Sequence, residues 1–340
     1  MDAAQALTPL SARALTEWAR AAGFDLVGFA RAEPIPPDAL GRWLEAGMDA
    51  DMDWMGARAA ERLDVQRLLP GAATVVALAC NYYVDGPADA SISRYARGRD
   101  YHATLRDRLR GFRRRLKEAH PDVAGYGSVD AGPVMEKVWA ARAGLGYVGK
   151  NGCLITEAYG SYVVLACLIL DRAVDAYASG PAPDRCGTCT ACITACPTEA
   201  LPGDGAVDAR RCLSFHTIEN RGSVPEPLRL AFENLTFGCD ICQDECPLNR
   251  RPVPAGERFA PRAVASLSVL ALAALTPEQY QECVPGTALA RAKYSGLRRN
   301  AAYALGAARD AAAGPVLQRL CADPDPAVRE AAVWALARLI

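Results

Sequence analysis

The chain has 340 residues, 51% of them apolar and 7% aromatic, with a formal net charge of −1. This length suits two or three domains with ample core material, and it excludes a short secreted scaffold stapled by disulfides. The balanced charge excludes a globally basic nucleic-acid binder, so any phosphate-facing surface has to be local. The longest apolar run, residues 163–170, is far too short to span a bilayer, and no basic, apolar leader opens the chain. The expectation is a cytoplasmic protein without membrane contact.

In chain order, residues 10–22 have helical periodicity, with Leu15, Trp18, Ala19 and Ala22 on one face and Gly23 as the stop. Residues 24–29 read as a short strand. Pro34, Pro36 and Pro37 then force a loop, and Asp38 is placed to cap a helix through Ala46. Residues 72–83 are a near-continuous apolar strand, suited to the centre of a sheet, with Cys80 as a small buried hydrophobe. Residues 94–102, Arg-Tyr-Ala-Arg-Gly-Arg-Asp-Tyr-His, combine cations, aromatics and a glycine, as a loop contacting an anion would. Asp100-Tyr-His102 approaches the D-x-H-x-x-G signature by which some proteins give cobalamin a histidine ligand. Leu105 stands where the glycine belongs, so His102 is not read as a cobalt ligand; a surface histidine and a substrate contact both stay open.

Residues 103–119 form a helix with the apolar stripe Leu105, Leu109, Phe112 and Leu116. Arg106, Arg108, Arg110, Arg113, Arg114, Arg115 and Lys117 cover its other faces, either as a solvated surface or as a surface for phosphates. A strand is expected to end at Asp130, with Pro133 opening a helix. Capping of that helix is the simpler role for Asp130 from the residues alone. Residues 144–149 contain G-x-G-x-x-G, but the motif follows a helix rather than a strand, which excludes a dinucleotide site. Its glycines are expected to let backbone approach a flat ligand. Residues 161–170 read as another buried strand, and Cys153 and Cys167 lack ligand spacing.

The densest chemistry lies in residues 186–247. Cys186, Cys189, Cys192, Cys196 and Pro197 form the C-x2-C-x2-C-x3-C-P run of bacterial ferredoxins. Cys239, Cys242, Cys246 and Pro247 repeat its last part, and Cys212 can complete the set of eight thiolates. In two-cluster ferredoxins the cysteine before the proline serves the other cluster. Cys186, Cys189 and Cys192 are therefore expected to share a 4Fe-4S cluster with Cys246, and Cys212, Cys239 and Cys242 one with Cys196. Two zinc sites are the alternative, against which the doubled C-x3-C-P ending argues. The tail repeats itself at an offset of 31 residues: Leu297-Arg-Arg-Asn-Ala-Ala-Tyr303-Ala-Leu305 aligns with Val328-Arg-Glu-Ala-Ala-Val-Trp334-Ala-Leu336. This is a HEAT-like helical pair. Arg291, Lys293, Arg298 and Arg299 make its leading edge basic, with Asn300 as a hydrogen-bonding group.

Together these segments resemble the epoxyqueuosine reductases, cobalamin-dependent enzymes of the last step of queuosine synthesis in tRNA. The resemblance rests on Val-Asp130-Ala-Gly-Pro, Gly-Leu-Gly-Tyr-Val-Gly-Lys-Asn, Tyr-Gly-Ser161-Tyr, the ferredoxin run, Cys212-Leu-Ser214-Phe-His-Thr-Ile-Glu219, the residues 238–249 and the helical repeat. It implies an α+β protein with three parts: an N-terminal α/β cobalamin-binding domain (1–178), a ferredoxin-like double-cluster domain (179–256) and an all-α HEAT-like tRNA-binding domain (257–340). It implies that Asp130 is the proton donor, overriding the capping role. It also implies that Arg62, Ser93, Asp130, Leu154, Leu165, Ser214 and the backbone of Cys239 and Asp240 line the corrin, with no protein ligand to cobalt. The anticodon stem-loop of tRNA would meet Arg97, Lys293, Arg298 and Arg299. A monomer served by a low-potential electron donor is expected. A cobalamin-dependent reductive dehalogenase acting on a small substrate, and a non-catalytic iron-sulfur electron carrier, are the alternatives.

Overall fold

The structure is a computed structural model and describes residues 8–86 and 91–339. Its N-terminal part contains α1 (Ala12–Ala21), β1 (Leu26–Arg31), α2 (Asp38–Glu45), α3 (Trp54–Ala57), α4 (Ala59–Leu63), β2 (Thr74–Asn81), α5 (Tyr101–Ala119), β3 (Gly125–Ser128), α6 (Glu136–Arg142), β4 (Tyr147–Val148), β5 (Leu154–Ile155) and β6 (Val163–Leu170). The main sheet has the order β1-β2-β6-β3, and every neighbouring pair is antiparallel. β2 is buried at all its positions, as its unbroken apolar sequence requires. Its side chains alternate between the two faces. Val76 and Leu78 pack with Leu15 of α1 and Leu105, Leu109 and Phe112 of α5. Val75 and Ala77 pack with Trp139 and Ala140 of α6. Helices therefore cover both faces of the sheet. Ser11 caps α1 and Asp100 caps α5 through their side-chain oxygens. Asp38 does not cap α2; it is the first helical residue, and Pro37 holds the cap position without a side-chain bond.

The G-x-G-x-x-G run turns from α6 into the β4–β5 hairpin. Gly144 leaves the helix at φ +76°, and a Cβ on Gly146 would lie 2.1 Å from the Ile155 carbonyl oxygen. The close approach that Gly146 permits is to β5 of the same chain, so packing within the chain already accounts for this glycine.

The cysteine region is built of short helices, α7 (Ala191–Ala195), α8 (Leu213–Ile218), α9 (Glu226–Arg229) and α10 (Ile241–Asp244). The tail follows as α11 (Val269–Ala273), α12 (Pro277–Cys283), α13 (Lys293–Ala308), α14 (Gly314–Leu320) and α15 (Pro326–Leu336). A reciprocal capping box, Thr276 with Gln279, starts α12, and Asp325 caps α15 ahead of Pro326. The two repeat copies are α13 and α15, which pack against each other. A Cβ on Gly306 would come within 2.6 Å of the Ala335 Cα, so only glycine permits this approach.

One apolar core joins the tail to the segment between Cys212 and Cys239. Leu297, Tyr303 and Val328 pack with Leu213, Val224, Phe232 and Phe237, and Ile92 and Ala96 of the N-terminal part join them. Each such buried side chain contributes about 1.5–3 kcal/mol. Packing is therefore continuous across residue 256. Arg299 and Asn300 lie inside this junction, 2% and 0% exposed. Arg299 donates to the carbonyls of His216 (2.6 Å), Gly222 (2.7 Å) and Asn220 (2.8 Å), and Asn300 to those of Thr217 and Thr236 (both 2.8 Å). Both are corrected from surface groups to an internal clamp: the turn after α8 leaves carbonyls inward that need donors.

Candidate active site

Cysteines of the two runs interleave in space. Burial raises the thiol pKa of Cys246, with Cys186 and Cys189 as charged neighbours; burial likewise raises that of Cys192, with Cys186 and Cys246 beside it. Cys186 also shares an apolar nest with Cys246, Tyr147 and Ile155. In the second group, burial pushes the Cys239 thiol up to about 12, with Cys212 and Cys196 beside it. Burial also raises Cys242, whose neighbours include Cys239 and Cys212. Each cysteine that precedes a proline thus lies with the other run. Among the described residues, no three His, Cys, Asp or Glu side chains converge on a single ion. One zinc would draw four sulfurs to about 2.3 Å of one point. A four-iron cluster would give each thiolate its own iron, and two quartets of neighbouring thiols suit it. The positive iron would reverse the upward shift of these thiols. Cys153, set aside in the sequence for its spacing, lies beside this region, with Cys212 and Cys246 among its charged neighbours.

Asp130 follows β3 in a left-handed conformation, φ +54°. It does not cap α6, which starts only at Glu136; Pro133 lies in the intervening loop. That corrects the capping role. Instead the Asp130 N–H donates to Glu136 Oε1 (3.1 Å), which also accepts from Ser128 Oγ (2.9 Å). Asp130 Oδ2 accepts from Tyr101 Oη at 2.6 Å and faces His102 Nε2 at 3.0 Å. His102 Nδ1 faces Asp100 Oδ1 at 2.8 Å, and its ring stacks on Tyr101. Desolvation acts to raise the Asp130 pKa, but the bonds from His102 and Tyr101 and the charges of His102 and Arg291 outweigh it, leaving the carboxyl below its ordinary value. The Asp130 side chain is still 59% exposed, so it can meet a ligand. Arg291, held by Glu219 (2.8 and 2.9 Å), lies over the Trp54 ring at 5.5 Å. The grouping of Tyr101 and Glu136 around Asp130, and of Trp54, Arg291 and Glu219 beside it, had no local sequence signal, because the partners are distant in the chain.

The remaining corrin candidates come from both sides of the seam between the N-terminal part and the cysteine region. Leu154 is buried on β5, and Leu165 is half-buried on β6 in the layer of α6. Ser214 sits in the first turn of α8, just after Cys212. Ser93 N–H donates to the Phe237 carbonyl at 2.9 Å, and Asp240 Oδ2 accepts from the Arg94 N–H at 2.8 Å. Across the same seam, Ser161 Oγ donates to Gln243 Oε1 (2.9 Å) and Asn249 Nδ2 to Ser161 Oγ (2.8 Å). Ser93 Oγ and Arg62 Nε are buried without a hydrogen-bond partner. Such groups are uncommon and need a partner. They fit a ligand rimmed with amide groups, as a corrin is.

The cations proposed for RNA are distributed differently from the sequence expectation. Lys293 is exposed, but Arg97 is 5% exposed and donates to the Ile92 carbonyl (2.9 Å). Arg298 is paired with Asp323 at 2.6 Å, with its side chain 13% exposed. Arg97, Arg298 and Arg299 are therefore internal or neutralised groups, drawn inward by unsatisfied carbonyls and a buried carboxylate. Arg106, Arg110, Arg113, Arg114, Arg115 and Lys117 of α5 remain exposed.

Comparison with known proteins agrees with this layout. Residues 62–131 match the family model described as "Epoxyqueuosine reductase QueG, DUF1730", residues 185–249 the "4Fe-4S double cluster binding domain" and residues 286–340 "HEAT repeats". An epoxyqueuosine reductase of Gloeobacter violaceus is 43% identical over 87% of this chain and 96% of its own length. One of Pseudomonas aeruginosa is 38% identical over 96% of this chain and 94% of its own. The crystal structure of an epoxyqueuosine reductase with an epoxyqueuosine-modified tRNA-Tyr stem loop superposes with a TM-score of 0.87 at 32% identity, covering 96% of this chain and 89% of that one. A Bacillus subtilis epoxyqueuosine reductase, solved with an aspartate catalytic loop swung out of the active site, gives 0.86 at 31% identity, covering 96% and 90%.

Proposed function

The chain belongs to the epoxyqueuosine reductase family, and from that membership we propose that it reduces epoxyqueuosine to queuosine at the wobble position of tRNA anticodons. The observation that carries the reading is the pairing, in one fold, of an exposed carboxylate held by Tyr101 and His102 with two cysteine quartets. Removing an epoxide oxygen to leave an alkene takes two electrons and two protons. Side chains lack low-potential electrons, so a cofactor has to bring them. Cobalamin, when bound, would supply the reducing power at carbon, and two 4Fe-4S clusters held by the eight cysteines would supply single electrons drawn from a low-potential donor.

The protein's own part is to bind, orient and protonate. Cys186, Cys189, Cys192 and Cys246 hold one cluster; Cys196, Cys212, Cys239 and Cys242 hold the other. Arg62, Ser93, Leu154, Leu165, Ser214 and the Cys239–Asp240 backbone hold the corrin. Both nitrogens of His102 face carboxylates, so it is not offered to cobalt. Asp130 gives a proton to the oxygen that leaves carbon. The exposed cations of α5, with Lys293, hold the phosphates of the anticodon stem-loop. The protein acts as a cytoplasmic monomer.

The test is one anaerobic assay with reconstituted protein, cobalamin, a strong reductant and tRNA bearing epoxyqueuosine. Digested nucleosides are then weighed by mass spectrometry. Cobalamin-dependent loss of one oxygen mass is expected. An unchanged nucleoside, with clusters and cobalamin shown to be bound, refutes the function.

A further inference from the structure

The imidazole of His102 is flanked by two carboxylates. Its Nδ1 lies 2.8 Å from Asp100 Oδ1 and its Nε2 lies 3.0 Å from Asp130 Oδ2. Asp100 is fixed by its cap, accepting the His102 N–H at 2.9 Å, which sets the ring's direction. A neutral imidazole has one donor and one acceptor nitrogen. With Asp100 ionised and Nδ1–H donating to it, two arrangements leave no lone pairs facing each other at either carboxylate. Either the ring is an imidazolium beside two carboxylates, or it is neutral and Asp130 carries the proton. The two differ by one proton moved along a 3.0 Å contact.

The reaction assigned above has a proton requirement that Asp130 alone does not meet. Two C–O bonds of the epoxide break, one C=C bond forms, and one water leaves. The step consumes two electrons from the reduced cofactor and two protons. A single carboxyl carries one proton, so it has to be recharged within each turnover. Resting on that function, we propose that His102 is the proton supply of Asp130: its Nε2 proton passes to Asp130 Oδ2, and from there to the departing oxygen. His102 does not touch the substrate and acts through Asp130. Its side chain is 22% exposed, so it can be reprotonated from water.

The surroundings favour the charged resting form. Desolvation opposes a charge on His102, but the Asp100 and Asp130 carboxylates more than offset it and raise the imidazole pKa to about 9. Other groups bear on the pair. Arg291 and Arg62 are cations that favour ionised Asp130, and Tyr101 donates to it. Glu136, raised to about 7 chiefly by burial, and the half-buried Tyr95 complete the ring of titratable neighbours. Arg106 faces Asp100. The competing role for His102 is a latch that merely holds the Asp130 loop.

Pre-reduced holoenzyme, wild type and His102→Gln, distinguishes the two in single turnovers on an epoxyqueuosine-bearing anticodon stem-loop. Wild-type rate should hold through neutrality and fall above pH about 9. In His102→Gln the proton must reside on Asp130 alone, so the rate should fall tenfold per pH unit from the ordinary carboxylate range near ~4. The loss at neutrality should reach about 10²–10³-fold. A latch gives a loss that is equal at every pH, and parallel profiles overturn the proposal. A second readout needs no turnover. The chain has 3 histidines, so ¹⁵N-histidine NMR of the oxidised holoenzyme can follow each ring. The His102 imidazolium should persist to about pH 9. Titration at the ordinary ~6.5 overturns the proposal. An inactive wild type with all cofactors bound refutes the parent function and this inference with it; an active wild type with parallel profiles refutes the inference alone.

Discussion

Replacing Arg299 by methionine separates a structural role from an RNA-contacting one. The guanidinium donates to three backbone carbonyls, those of His216, Asn220 and Gly222, and is 2% exposed. Methionine has a similar volume and no donor. Each stranded carbonyl costs about 1–3 kcal/mol, so the gross loss is about 3–9 kcal/mol. An opposing effect comes from the charge itself: burial lowers the Arg299 pKa to about 10. Removing that buried charge recovers about 3 kcal/mol. The net loss is about 0–6 kcal/mol, centred near 3. For a chain of 340 residues each kcal/mol moves the midpoint by about 1–2 °C, so the melting temperature of the reconstituted protein should fall by about 3–6 °C. Far-UV circular dichroism measures it. Fluorescence anisotropy with a labelled stem-loop supplies the second half of the test, at several salt concentrations. Removing a surface cation that meets a phosphate lowers the salt slope by about one. Arg299→Met should leave that slope unchanged. An unchanged melting temperature together with a slope reduced by about one would refute the clamp.

Asp130→Asn should keep full iron and cobalamin content while single-turnover reduction of the epoxide falls by about 10²–10⁴-fold; near-normal turnover removes Asp130 from the mechanism. Cys196→Ser should disturb the cluster built on Cys212, Cys239 and Cys242, although Cys196 belongs to the first run. Iron analysis and electron paramagnetic resonance of the reduced protein, compared with Cys246→Ser, check this, and loss of the same signal in both variants defeats the crossed assignment. Arg113→Glu with Arg114→Glu should lower the salt slope of RNA binding by about two or more, because both side chains are exposed on α5. An unchanged slope moves the RNA to another face.

Periodic features were legible wherever burial itself generates the pattern. The stripe Leu105, Leu109, Phe112 and Leu116 located α5, and the continuous run 72–83 located the central strand, which spans Thr74–Asn81. The cysteine spacing was legible because cluster ligation constrains local turns. Asp130 was different. Whether it caps a helix or serves chemistry depends on Tyr101 and His102, which belong to another element. Basic side chains are usually exposed, and that prior placed Arg299 on the surface. Its burial follows from inward-facing carbonyls some 80 residues away, which no local pattern encodes. The glycines at 144–149 announced a close approach but not its partner, Ile155.

The shared core around Phe237 bears on the order in which the molecule can be made. Every strand of the main sheet precedes residue 171, so the sheet can close while the rest of the chain is still being translated. Phe237 and Leu213 meet most of their partners, including Leu297, Tyr303 and Val328, only once the tail helices exist. Both cysteine runs therefore leave the ribosome before the structure that fastens them. This interval gives iron delivery access to the thiols, and it exposes them to oxidants as well. A frameshift or stop within α13–α15 should thus empty the upstream cysteine sites of iron, and not simply weaken the hold on RNA.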